Sequence, residues 1–422
     1  MGSTDRSSPA TDRAPANIGL AADDDLGYNR AMRTLHMRKN YHERLLRGHL
    51  WGWRNDFPPD ELRACTPGEA VRVESRDGEF VGVGFANPAS FIAFRLFHRR
   101  DEEPGEDHLR RRLVQALAWR RQVRAGDAVC RLVFGESDGL PGLVVDRYGP
   151  VLVMSQSVRG LEPWTEFLAD ELAQALAPET IILKNTNLLR RLEGLPLATR
   201  VLRGRWDGPV TVDYDGVSVP VDCRDGRKTG LFLDHRENRR LLGRMLRGGE
   251  RVLDLFSHCG LWSLTLLRAG AAGAVAVDND PAAVAAGETA AAVNGWTDRL
   301  TFVTADVRDF LTTGTLADND VVVLDPPAFA KKKRYLKNAL ATYREYNTLA
   351  LRRVRAGGLL ATSSCSSFVR PDMLQKLVQD AALDLGRTLQ WVAQGAQALD
   401  HPVLPAMPET HYLKCMVYRV LD

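Results

Sequence analysis

Over residues 214–422, short apolar runs alternate with longer amphipathic segments. RVLDLF (251–256) precedes GLWSLTLLRAG, AVAVD (274–278) precedes PAAVAAGETAAAVNG, and LTFVTAD (300–306) precedes VRDFLTTG. DVVVLDPP (320–327) precedes a helical stretch near 336–355, and GGLLATSSC (357–365) precedes MLQKLVQDAALDLG. Strands covered on both faces read as unbroken apolar runs, so this alternation predicts βαβ units around a mostly parallel sheet. Residues 71–97 alternate apolar and polar positions instead, with Asp77-Gly78 placed as a hairpin turn, which predicts a small antiparallel module. Between these regions the pattern predicts a helix over 108–123, strands in CRLVF and GLVVDRYGPVLVMSQ, a helix near 163–177 and a strand over 180–185. The expected organisation is an extension (1–30), a β-rich domain (31–104), a small α+β domain (105–213) and an α/β domain (214–422), with no internal repeat.

A chain of 422 residues is too long for one ordinary core, which agrees with several domains. No apolar run approaches the roughly 18 residues that cross a bilayer, so no membrane association is expected. The first thirty residues are rich in Ser, Ala, Asp and Pro and lack the basic start and apolar centre of a signal peptide; they are expected to be disordered. Six cysteines, at 65, 130, 223, 259, 365 and 415, form no CxxC pair. That argues against zinc or any other metal site and against a disulfide framework, and for a reducing cytoplasm. A net charge of +3 leaves any nucleic-acid contact to local patches. Only nine of the 56 basic residues are lysines, and four of them fall in KKKRYLK (331–337).

In an open parallel sheet, ligands bind beyond the carboxyl ends of the strands where strand order reverses. Here the expected strand ends carry Asp254, Asp278, Asp306, Asp325 and Cys365. A single acid after a strand reads equally well as a helix N-cap, but five reactive residues in register do not. Asp278 is placed to accept from ribose hydroxyls, or to cap the helix that begins at Pro281. Asp306 is placed to accept from an adenine amine, or to cap. The loop DLFSHCG holds only Gly260, where a dinucleotide site shows GxGxxG for its pyrophosphate. S-adenosylmethionine (AdoMet) has no phosphate, and Asp254 could neutralise its ammonium group, so AdoMet is favoured over NAD.

DPPAF (325–329) removes two backbone donors and keeps the chain extended, so that the Asp325 carboxylate faces the cavity. Related turns cradle exocyclic amines, so this motif alone leaves the target atom open. LLATSSCSSF (359–368) sets Cys365 among hydroxyls rather than hydrophobes, unlike a buried filler cysteine. A thiolate adding to C6 of cytosine makes C5 enamine-like and able to accept a methyl group. A free thiol has a pKa near 8.5, and the neighbouring serines and threonines are placed to favour the anion. Asp325 is placed to hold the base at N3, donating if protonated or acting through a water. Cys259 is expected to be structural, and Cys223 and Cys415 core. Two other readings stay open: a methyltransferase acting on an exocyclic amine or small molecule through DPPAF, and a non-catalytic RNA-binding protein.

RLLRGHLWGW (44–53), ANPASFIAFRLF (86–97), GESDGLPGLVVDRYG (135–149), KTGLFLDHRENR (228–239), DLFSHCG, DPPAF, SSCS and HPVLPAMPETHYLK (401–414) together resemble the large-subunit ribosomal RNA cytosine-C5 methyltransferases that carry an N-terminal PUA domain. The resemblance runs from about residue 35 to the end. It implies a PUA domain, a central domain and a class I, Rossmann-like methyltransferase domain, with AdoMet as methyl donor and Cys365 as nucleophile. It makes Lys228, Phe232, Asp234 and Arg236 cofactor contacts, with Phe256, Ser257, Gly260, Asn279, Val307 and Pro326 lining the same site beside the acids. Large-subunit ribosomal RNA is the implied partner, and nothing in the sequence indicates the oligomeric state. Lys331, Lys332, Lys333 and Arg334 are then expected to neutralise phosphates, and His49, Trp51 and Trp53 to stack on unpaired bases. His258 and Trp262 depart from the family pattern. Ala328 stands where dual-cysteine relatives place a second thiol, leaving one nucleophile.

Overall fold

The C-terminal sheet has seven strands: β1 (Arg251–Leu255), β2 (Gly273–Asp278), β3 (Leu300–Thr304), β4 (Asn319–Leu324), β5 (Val354–Ser364), β6 (Leu389–Gly395) and β7 (Lys414–Val420). Their spatial order is β3-β2-β1-β4-β5-β7-β6. The first five run parallel, and β7 is antiparallel to both of its neighbours. The order therefore reverses between β1 and β4, which places the ligand crevice at their carboxyl ends. Burial follows the period-two rule on both faces: Val252, Val321 and Val323 join one apolar cluster, while Leu253, Leu255, Val322 and Leu324 join another. Helices Leu261–Arg268, Pro281–Val293, Val307–Thr312, Leu336–Leu351 and Pro371–Asp384 follow the five parallel strands, as the sequence pattern requires. The computed structural model describes residues 32–313, 318–330 and 332–422; the expected extension over 1–30 and Lys331 lie outside them.

Strands Arg33–His36, Glu69–Glu74, Phe80–Ala86, Ile92–His98 and Trp51–Trp53 form, in that spatial order, a five-stranded N-terminal sheet. Its central hairpin turns through Gly78, whose φ of 86° favours glycine. A second five-stranded sheet orders Ala198–Arg203, Thr180–Asn185, Val151–Gln156, Leu143–Tyr148 and Val129–Phe134. These layers are not insulated from one another. Phe85 and Phe97 of the first sheet pack with Leu132 of the second and with Leu109 and Leu161 of the helical segments Glu106–Val123 and Arg159–Trp164, and Val129, Tyr148 and Ile182 share a core with the C-terminal region. Buried Asp400 ties the C-terminal region to the second sheet, accepting from Arg131 N (2.9 Å) and lying 3.5 Å from Arg124 Nη2. His49 Nε2 lies 3.3 Å from Glu409 Oε2, joining the first sheet to the same C-terminal loop.

Candidate active site

The loop after β1 turns through three left-handed residues, Phe256 (φ 62°), His258 (51°) and Gly260 (73°). Such conformations cost about 1–2 kcal/mol at a non-glycine residue and persist only where neighbours hold them. Here Ser257 N donates to Val277 O (3.0 Å) and His258 N to Asp278 Oδ2 (2.8 Å). Asp278 Oδ1 accepts from Asp280 N (2.9 Å), whereas the cap of the following helix is Asp280 itself, through Ala282 N (3.1 Å). Asp306 does cap its helix, through Arg308 N (2.8 Å) and Asp309 N (3.2 Å), and both bonds go to Oδ1, which leaves Oδ2 open. Asp254 lies inside β1 rather than beyond it and is fully buried. Its Oδ2 accepts from Ser263 N (3.1 Å) and Oγ (2.8 Å), and its Oδ1 has no partner. Burial outweighs the Ser263 bonds and pushes its pKa up to about 7.

Phe232 and Lys228 are exposed, and the Phe232 ring stands edge-on to His258 at 5.0 Å. Asn279 is exposed, Pro326 and Val307 are buried, and the Phe256 ring packs on Tyr346 at 5.1 Å. Asp234 Oδ2 accepts from Tyr412 Oη (2.7 Å). Arg236 departs from the expectation. It is buried against Asp215 (Nε to Oδ1, 2.8 Å), Asp127 (2.8 Å) and Val129 O (3.0 Å), where it clamps the C-terminal region to the second sheet.

On the other side of the crevice, Asp325 and Cys365 follow the neighbouring strands β4 and β5. Asp325 Oδ1 lies 3.1 Å from His235 Nε2 and accepts from Ser363 Oγ, and its Oδ2 accepts from Trp262 Nε1 (3.1 Å). Burial pushes Asp325 toward the neutral acid, but the His235 charge and these donors prevail and hold its pKa well below the usual range. The converse holds for His235: burial disfavours its charge, yet Asp325 raises its pKa well above the usual value. The pair is therefore a carboxylate and an imidazolium, so Asp325 accepts hydrogen bonds and has no proton to give N3. Trp262→Phe removes the indole donor from Asp325 Oδ2, and a loss of transfer rate of about three- to tenfold, with AdoMet affinity unchanged, is expected from titrating the variant against both substrates. Equal rates for the two proteins would show that the indole bond does not orient the carboxylate.

Cys365 is the only one of the six cysteines that is not buried. Its Sγ lies 3.9 Å from Pro326 O, and burial, then the charges of Asp325 and Asp234, push its pKa up to about 12. The serines around it do not serve the thiol as the sequence suggests. Ser363 donates to Asp325, Ser364 Oγ to Tyr343 Oη (3.0 Å), and Ser366 Oγ to Ala330 O (2.8 Å). Each of these three hydroxyls donates to an oxygen instead. Lys414, buried at the start of β7, holds the Ser366 carbonyl just past the cysteine and donates to Tyr412 O (2.9 Å). Burial pushes its pKa down to about 8.

Residues 198–418 match the family described as S-adenosylmethionine-dependent methyltransferase, and residues 35–99 match a PUA-like domain. The chain belongs to the S-adenosylmethionine-dependent methyltransferases. Among curated proteins, ribosomal RNA large subunit methyltransferase I of Shewanella amazonensis is 39% identical over 363 residues, spanning 84% of this chain and 91% of that protein. The protein of the same name from Serratia proteamaculans is 34% identical over 399 residues, spanning 92% and 99%. The crystal structure of SMU.776 complexed with SAH covers 92% of this chain and all of its own with a TM-score of 0.80, at 18% identity, a likeness of fold.

In this methyltransferase, His235 and Trp262 are the site residues that sequence reasoning missed. His235 lies between Asp234 and Arg236 in KTGLFLDHRENR, and Trp262 stood out only as a departure from the family pattern. The aromatic residues expected to meet RNA divide. His49 is buried on Glu409, and Trp51 is half-buried with its Nε1 donating to Glu136 Oε1 (2.9 Å). The Arg95 guanidinium lies over one face of the Trp51 ring at 5.5 Å. Trp53 pairs with exposed Phe91 at 5.2 Å. Lys332, Lys333 and Arg334 are exposed and form no ion pair among the described residues.

Proposed function

We propose that this methyltransferase transfers the AdoMet methyl group to C5 of a cytosine in large-subunit ribosomal RNA, through a covalent bond between Cys365 and C6. The substrate class rests on the relatives named ribosomal RNA large subunit methyltransferase I, which align over nearly the whole chain. The observation that carries the mechanism is the half-buried thiol of Cys365 beside Asp325, next to the reversal of strand order. When bound, AdoMet supplies an electrophilic methyl group. The residues present suit it: Asp254 Oδ1 has no partner and suits the ammonium end, Asp278 retains lone pairs for a ribose diol, and Asp306 Oδ2 is open to an adenine amine.

Cytosine reaches the crevice by leaving its stack. Ionised Asp325 accepts from its N4 amine, which sets the ring against Cys365. The thiol gives up its proton to a base or water and Sγ adds to C6; the electron pair of the C5–C6 double bond then takes the methyl group at C5, leaving S-adenosylhomocysteine. A base then removes the C5 proton, the Sγ–C6 bond breaks, and the thiolate leaves. Burial favours the protonated thiol in the free protein, and the charge of Lys228 acts in the opposite direction, toward the anion, so a closer approach of Lys228 in the complex favours the nucleophile. The domain over 31–104 and the basic turn at 332–334 are assigned to RNA contact.

RNA carrying 5-fluorocytosine at the target is expected to trap the enzyme as a methylated, covalent complex that survives denaturation, because fluorine at C5 cannot leave as a proton does. Methyl groups found on N4, with no trapped complex, would instead establish amine methylation through DPPAF. No helix of the described residues is long and apolar enough to cross a membrane.

A further inference from the structure

His49 and Trp51 are engaged in contacts inside the protein, and the N-terminal side carries a second, basic surface. A cavity of about 400 Å³ lies where strand Ile92–His98 leads into helix Glu106–Val123, with Leu50 as one wall. Arg99, Arg100, Arg111 and Arg112 line it. Arg111 is exposed and makes no hydrogen bond or ion pair among the described residues, and Arg100 pairs with Glu102 at 2.9 Å. Two of the nearby acids are engaged elsewhere: Asp101 bonds Arg72 (2.9 Å) and Asp107 bonds Arg110 (3.0 Å). His108, 6% exposed, has an unpartnered Nε2, and its Nδ1 lies 3.3 Å from Arg100 Nη2. Burial pushes its pKa down to about 4, and the charges of His98, Arg112, Arg111 and Arg100 act in the same direction. Three arginines, Arg100, Arg111 and Arg112, thus face a buried, unpartnered imidazole nitrogen, and only Arg100 among them has a carboxylate partner.

The cavity also has the right neighbour. Leu50 follows His49, which sits on Glu409. On the far side of that contact, Pro408 and His411 line a second cavity of about 290 Å³ together with Ser367, Arg370 and Lys414, just past Cys365. The His49–Glu409 contact thus joins the segment that walls the arginine cavity at Leu50 to the loop that lines the second cavity at Pro408. We propose that the arginine-lined cavity binds the phosphodiester backbone of the RNA strand flanking the target nucleotide. This rests on the RNA reading above. Contacts of this kind set register without reading bases, which suits a site far from the reacting ring.

The test compares Arg100→Gln/Arg111→Gln with a control of equal charge, Arg191→Gln/Arg247→Gln, in RNA binding across a salt series. The cavity variant is expected to bind about tenfold more weakly near physiological salt, with the slope of log K against log salt shallower by about 0.7 for each phosphate no longer neutralised. AdoMet affinity and thermal midpoint are expected to stay at the wild-type values. Equal weakening in the two variants, or none, would overturn the assignment. Proton NMR of His108 separates the sources of phosphate: an oligoribonucleotide is expected to raise its pKa at micromolar concentration and inorganic phosphate only at millimolar. If wild-type protein fails to bind RNA while inorganic phosphate shifts His108 at micromolar concentration, the RNA reading falls and the cavity takes small anions. If neither ligand moves His108, the site itself is overturned.

Discussion

Cys365→Ala leaves AdoMet binding intact and lowers methyl transfer to RNA by roughly a thousandfold or more, as expected when a nucleophile that opens the only reaction path is removed. The binding half of this result follows from the layout of the crevice. The cofactor candidates stand on the loop after β1 and the ends of β2 and β3, whereas Cys365 follows β5 on the other side of β4. Calorimetry with AdoMet and transfer of a labelled methyl group measure the two halves separately. Cys365→Ser is expected to fail similarly, since a hydroxyl in the same place is a far weaker nucleophile. Cys259→Ala serves as the control: that thiol is 3% exposed on the cofactor loop, burial pushes its pKa up to about 12, and its variant is expected to keep transfer within a few fold. Full activity in Cys365→Ala would refute the covalent mechanism and leave amine methylation through DPPAF as the reading.

Asp325→Asn is expected to lose both activity and stability. Transfer falls by about a hundredfold or more, because the amide no longer holds His235 charged and presents the cytosine amine with a mixed donor and acceptor. Removing one partner of a buried ion pair typically costs about 3–5 kcal/mol, and the partial exposure of Asp325 favours the lower end. The pH dependence follows from the two shifts. Asp325 is depressed in the folded state, so its contribution is complete above its unfolded pKa near 4 and fades as pH falls through the folded value. His235 is raised, so its contribution is complete below its unfolded pKa near 6.5 and fades as pH rises toward the folded value. The stability gap between wild type and Asp325→Asn is thus widest from about pH 4 to 6.5 and narrows on both sides. Urea unfolding at pH 5.5 and pH 9 reads this directly; the same gap at both pH values would mean that His235 is neutral.

These two residues also show how far the sequence reaches. The neighbourhood of Asp325 and Cys365 was legible because each ends a predicted strand and class topology places the fourth strand beside the fifth. The AdoMet reading was legible in the same way, from acids in register and a glycine-poor loop. The individual bonds were not. Asp278 reads as a ribose acceptor with a helix cap as the alternative until Asp280 is seen to take the cap. The serines of SSCSS suggest thiolate donors until Asp325, Tyr343 and Ala330 are seen to accept from them.

What the sequence determined by itself is the fold and the list of reactive groups. Hydrophobic periodicity is a property of each segment, and burying an apolar run or forming an Asp-Gly turn has nearly one local solution. The tertiary structure decided which polar group meets which. Arg236 became a clamp because Asp215 and Asp127 lie within reach of its fork, and His49 became a tie between the first sheet and the C-terminal loop because Glu409 arrives from the far end of the chain. The charged form of His235 is favoured chiefly because Asp325, ninety positions away, stands 3.1 Å from it. A hydrogen bond depends on distance and angle between groups that the chain order does not relate. One sequence can therefore announce a thiol, a carboxylate and an imidazole, while only the packed molecule states which of them carry charge.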